Sequence, residues 1–202
     1  MFLLRNLQWH LKKDTLLLKD LDQATVAVHS LKQNELSKLL DFFSQLPLEF
    51  ELKTQIQVLY KSQLRGFVFG KDCDLCVLHH KAEGRLFLTD RNGFYNDFLA
   101  SAYKKTQGRV LVIISNVQED PPEGALVSSE IYELAEHGDQ PTIGILGQLG
   151  KVVCYKAQPS AYQVDYISKL ISSSAFYREP SEYKNLPKSF HPSQSVFNCD
   201  LL

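Results

Sequence analysis

Residues 64–93 read LRGFVFGKDCDLCVLHHKAEGRLFLTDRNG, three apolar runs separated by short segments rich in Gly, Asp and Lys. This is the pattern of an antiparallel meander. With Lys81 to Gly84 as a four-residue hairpin loop, His80 stands opposite Arg85, Leu78 opposite Phe87 and Cys76 opposite Thr89. The other face then sets Leu75, Val77 and His79 against Leu86, Leu88 and Asp90. Both faces are largely apolar, and a sheet buried on both sides belongs at the middle of a domain. The expectation is an α+β fold: a mostly antiparallel sheet of about six to eight strands with about four helices packed mainly on one face.

Upstream, Leu7 to Lys19 reads as two short strands around Lys12, Lys13 and Asp14, and Thr25 to His29 as another strand. Ser30 followed by Gln33 fits a capping box that opens a helix from about Leu31 to Gln45. Its Leu36, Leu39, Leu40 and Phe43 recur at helical spacing, and Pro47 limits its extension. Glu51 to Tyr60 alternates Leu52, Thr54, Ile56, Val58 and Tyr60 against Lys53, Gln55 and Gln57, a strand with one wet face.

Downstream, Asn92 and Gly93 open a helix carrying Tyr95, Phe98, Leu99 and Ala102 on one stripe. Lys104 and Lys105 sit in its last turn, where cations suit the negative end of the helix dipole, and Gly108 terminates it. Arg109 to Ser115 holds five consecutive apolar residues rich in β-branched types, hence a strand covered on both faces. NVQEDPPEG is a surface loop. Val127, Ile131, Leu134 and Ala135 define a short helix, and Thr142 to Gly147 with Lys151 to Lys156 are expected to form a second hairpin. In that reading Gly144, Gly147 and Gly150 of GILGQLG are turn glycines. Ser160 and Gln163 form another capping box before a last helix bearing Val164, Ile167, Leu170 and Ile171. The expected organisation is one domain over residues 1–174 and an aromatic, proline-containing tail over 175–202.

At 202 residues with 44% apolar content the chain can bury one sizeable core. Lys plus Arg total 22 against 23 for Asp plus Glu, so no global positive field exists to hold a nucleic acid or an anionic membrane. Arg5, His10, Lys12 and Lys13 interrupt the apolar start before a secretory segment forms, and no run reaches the roughly 20 apolar residues of a membrane span. Cys73, Cys76, Cys154 and Cys199 are few for a chain with this much core, which places the protein in a reducing cytoplasm.

Cys73, Cys76, His79 and His80 carry ligand-type side chains, but a zinc knuckle needs two thiolates turned toward one ion. Cys76 is followed by Val77 inside a strand run, where residues three apart face opposite sides, so no metal and no cofactor is expected. Nucleophilic catalysis by a cysteine needs a partly exposed thiol beside a base or a helix N-terminus, and neither Cys154 nor Cys199 fits. No GxSxG elbow or phosphate-binding loop is present. Arg65, Arg85, Asp90 and Arg91 cluster around the ends of the meander and with His80 are the candidates for a shallow anionic-ligand site, although charges at strand ends also mark any solvated sheet margin. Tyr103, Lys104, Lys105 and Arg109 form a basic and aromatic patch of the kind used on nucleic acids. In the tail, Phe190, Phe197, Leu201 and Leu202 suit an extended peptide docking into a groove or along a strand edge.

Three functions follow from these features. The first is a non-catalytic intracellular binding or regulatory protein, in contact with another protein or a second copy of itself through a sheet margin and the tail. The alternative is a small enzyme or ligand-sensing domain at the meander end, using His79, His80, Asp90 and Arg91. The third, nucleic-acid binding through residues 104–109, is the one that the charge balance disfavours.

Overall fold

The structure is a computed structural model that describes residues 23–82, 95–129, 131, 133 and 141–176. Within them lie five strands: β1 (Gln23–Ser30), β2 (Glu51–Val58), β3 (Leu75–Lys81), β4 (Val110–Ser115) and β5 (Val152–Tyr155). The helices are α1 (Gln33–Ser44), α2 (Lys61–Leu64), α3 (Asn96–Lys105), α4 (Pro141–Gln148) and α5 (Ala161–Phe176). All five strands are parallel, in the spatial order β2-β1-β3-β4-β5. The fold is therefore α/β, and the expected antiparallel sheet of six to eight strands is wrong.

The pairing of β3 shows why. One edge of β3 bonds to β1, from Val26 opposite Leu75 to Ser30 opposite His79. The other bonds to β4, from Cys76 opposite Val110 to Lys81 opposite Ser115. Both edges are occupied, so no hairpin partner can pair with it. The expected partner, Arg85 to Asp90, lies outside the described residues. Ahead of β3, residues 64–70 form the end of α2 and an irregular connection instead of a strand.

The second expected hairpin fails for a related reason. Residues 142–147 belong to α4, whose Ile143 and Leu146, three apart, are buried. A parallel neighbour for β4 needs a crossover, and α4 supplies its last leg. A Cβ at Gly147 would stand 3.4 Å from Ile131 Cγ2, an ordinary contact, so Gly147 serves as a helix residue and not as a turn glycine. Gly150, at φ +68, is a genuine turn glycine.

Period-two alternation sorts the strand residues between two cores. Cys76, Leu78, Val110, Val112, Ile114, Val152 and Cys154 face α3 and α4, packing with Phe98, Leu99, Ile143 and Leu146. Leu75, Val77, Leu111, Ile113 and Val153 face α1 and α5, packing with Leu36, Leu39, Phe43, Ile167 and Ile171. Each such side chain, fully buried, contributes about 1.5–3 kcal/mol. The expected core positions Leu75, Val77, Val112 and Ile114 are buried; Leu86 and Leu88 lie outside the described residues.

Connections follow the same division. From β1 the chain moves outward to β2 through α1, then returns across β1 to β3 by residues 59–74, whose Leu59, Leu64 and Phe69 belong to the opposite core. A chain that reverses direction along a sheet while keeping one crossover hand must change face, and this one does. Of the two expected capping boxes, Ser160 and Gln163 form one: Ser160 N–H donates to Gln163 Oε1 at 3.0 Å, and Gln163 N–H to Ser160 Oγ at 3.3 Å. Ser30 instead ends β1, and the cap of α1 is Lys32, with no side-chain bond. The expected strands over Leu7 to Lys19 lie outside the described residues.

Candidate functional site

The strand order reverses between β1 and β3, and the carboxyl ends of strands at such a point are where open α/β sheets bind ligands. On the α1 side that end carries Glu35, His79, Lys81, Ser115 and Tyr155. His79 Nε2 lies 3.0 Å from Ser115 Oγ, linking β3 to β4. Glu35, buried in the first turn of α1, meets Lys38 Nζ at 3.5 Å and Lys81 Nζ at 3.6 Å. Burial pushes the His79 imidazole down to about 4 against the opposing pull of the Glu35 charge. Burial, aided by Glu35, pushes the Tyr155 phenol up to about 12. A Ser–His pair suggests acyl transfer, but a catalytic imidazole needs an acceptor that orients its far nitrogen. Among the described residues His79 Nδ1 has no hydrogen-bond partner, and Ser115 is buried. The arrangement is a stitch between strands.

On the α3 side, His29 is fully buried with Phe69 and Phe98 edge-on at 5.4 and 5.1 Å between ring centroids. Its Nδ1 lies 3.8 Å from Cys76 Sγ. Burial first, and then the Lys71 charge, lower its pKa to about 4, while burial raises the Cys76 thiol well above its ordinary value. His80 Nδ1 lies 2.8 Å from the Tyr95 hydroxyl. His79 and His80 therefore face opposite sides of the sheet, as strand alternation requires.

The connection from β2 to β3 has a different character. Leu59, Leu64 and Phe69, five residues apart, are buried and pin it to the sheet and α3. Two bonds to α3 add to this: Gly66 N–H donates to Asp97 Oδ2 at 2.7 Å, and Phe69 N–H to Ser101 Oγ at 2.7 Å. Gly66 sits at φ +68, where a side chain would be strained. Between the pins, Tyr60 is 61% and Val68 82% exposed, and Ile56, on the strand leading in, is 46% exposed. Lys61 and Arg65 are exposed beside them. The hint in the sequence is an apolar spacing of five, which suits neither a helix nor a strand.

Of the site expected at the meander end, Arg65 belongs to this connection and His80 to the carboxyl end of β3. Arg85, Asp90 and Arg91 lie outside the described residues, as do Phe190, Phe197, Leu201 and Leu202 of the tail. The basic patch is partly gathered: Lys105 and Arg109 line a cavity of about 440 Å³ with Thr25, Lys71, Asp72, Cys73, Asp74 and Gln107. This cavity lies at the amino ends of β1, β3 and β4, the end of the sheet opposite to the switch point. It is the feature that sequence reasoning missed, because Lys71 and Thr25 approach residues 105–109 only through the parallel pairing of β1, β3 and β4.

An open parallel α/β domain with a pinned, exposed connection on one margin and a polar cavity at its amino end is the class of protein that this geometry defines. No family model matches the chain, and no curated protein does either.

Proposed function

We propose that this chain is a non-catalytic binding module that recognises another protein through the β2–β3 connection. The observation that carries the reading is the contrast within residues 59–69: buried Leu59, Leu64 and Phe69 hold the segment in one shape, while Tyr60 and Val68 remain exposed. Large apolar side chains held open on a fixed surface are the usual anchors of protein recognition. Exposed Arg65 sets the partner's chemistry, an acidic segment carrying apolar side chains. The neutral, buried states of His29 and His79 support a structural rather than an acid–base role for both. Free Cys73, Cys76 and Cys154 support a reducing, cytoplasmic setting. Among the described residues no helix is long and apolar enough to cross a membrane.

Site-specific photocrosslinking tests this reading. A photoreactive residue at position 60 or 68, introduced in cells that express the chain, is expected to capture one and the same protein. The same group at Tyr162, exposed but on α5, captures none of it. R65E abolishes capture while the melting temperature stays unchanged. Equal capture from position 162, or capture that survives R65E, would refute the proposal.

A further inference from the structure

We infer that the cavity at the amino end of the sheet binds a small phosphate-bearing ligand. Three cations reach it from three separate elements: Lys71 from the β2–β3 connection, Lys105 from the last turn of α3, and Arg109 from the residue before β4. The dipole of α3 accounts for Lys105 alone. Lys71 and Arg109 belong to no helix, yet the charges of both act on the Cys73 thiol, which lines the same space.

Two carboxylates, Asp72 and Asp74, line the same cavity. Asp74 Oδ2 accepts the Thr25 N–H at 2.8 Å, and its backbone carbonyl accepts Arg109 Nε–H at 2.8 Å. That second bond fixes the plane of the guanidinium, which is how arginine is presented to oxyanions. Asp72 pairs with Lys105 at 3.0 Å, but its side chain is 94% exposed and can swing away into water. Three cations and two carboxylates line the cavity, an excess of one positive side chain in a chain whose net charge is −1.

The volume lies in the range of small-molecule sites, about 300–1,000 Å³. Apart from Cys73, the lining is entirely polar or charged, which suits a compact hydrophilic anion and not an aromatic cofactor. A tetrahedral phosphate offers enough acceptors for both lysines and the arginine at once. Gln107, at φ 57 where the chain leaves α3, completes the lining.

The test is titration of the full chain with inorganic phosphate at constant ionic strength, followed through the backbone amide resonances of Thr25, Cys73 and Gln107. Saturable shifts are expected. K71Q and K105Q each weaken binding about tenfold, the loss of one charge-assisted bond. D72N, which removes the competing anion, strengthens it. Arg109 is left intact because its bond to Asp74 O holds the starts of β3 and β4 together. Non-saturating shifts, or equal affinity in wild type and the K71Q/K105Q double variant, would overturn the inference. So would a single-stranded oligonucleotide that binds far more tightly than phosphate with a steep salt dependence, since that outcome makes the patch a nucleic-acid surface.

Discussion

Acidification from pH 7 to pH 5 is expected to destabilise this protein through two buried histidines. His29 is 0% exposed and His79 2%, on opposite faces of the sheet, and burial lowers both from 6.5 to about 4. The unfolded chain therefore takes up protons below pH 6.5 that the folded chain refuses. The unfolded state binds the additional protons, so stability falls as pH falls through this window, and the loss is complete only below the folded value near 4. From pH 7 to 5, a shift of this size costs about 2 kcal/mol per histidine and about 4 kcal/mol for the pair. That is a large share of the roughly 5–15 kcal/mol that holds a domain together. Urea melts at the two pH values measure it directly. His79→Gln, which keeps a polar group toward Ser115, and His29→Leu, which suits the Phe69 and Phe98 surroundings, should each remove about half of the pH dependence whatever they do to the absolute stability. Coincident midpoints at pH 7 and 5, or an undiminished slope in the double variant, would show that the imidazoles are hydrated and the two cores are not as closed as described.

Leu78→Ala removes a fully buried side chain from the centre of β3 on the α3 side and should cost about 2–5 kcal/mol by cavity formation, read from the urea midpoint. An unshifted midpoint would mean that β3 is not the central strand. Gln163→Ala keeps the backbone N–H bond to Ser160 Oγ but removes the Oε1 acceptor of the Ser160 N–H and the side-chain N–H bonds to Leu126 O at 3.3 Å and Cys154 O at 2.9 Å. Leu126 O keeps the Cys154 N–H at 2.8 Å, so the loss is mainly that of the buried bond to Cys154 O and of the cap, about 1–3 kcal/mol; Gln163→Glu, which cannot donate, should also destabilise through the bond to Cys154 O.

The faces of the elements were legible in the sequence. Leu36, Leu39 and Phe43 on α1, and Phe98, Leu99 and Ala102 on α3, are buried as their spacing requires, because a helix turns its side chains by a fixed angle whatever it packs against. The alternation of Leu75 and Val77 against Cys76 and Leu78 was equally local, and so was the Ser160 and Gln163 box. Which strand lies beside which is not local. Antiparallel and parallel partners can show the same alternation, and the choice is made by hydrogen bonds to residues tens of positions away, as between Leu75 and Val26. The two-sided apolar runs at 75–78 and 110–114 were the signal for a parallel sheet, since only crossovers cover both faces. The short KAEG connection after β3 suggested a hairpin instead, and the glycines of GILGQLG suggested a turn where tertiary packing holds a helix. The candidate sites divide in the same way. Arg65, Lys105 and Arg109 are visible as charges in the chain, but the burial of Leu59, Leu64 and Phe69 that pins an exposed surface, and the meeting of Lys71 with Arg109, exist only once β1, β3 and β4 lie side by side, because in a parallel sheet the amino ends of distant strands are brought to one edge.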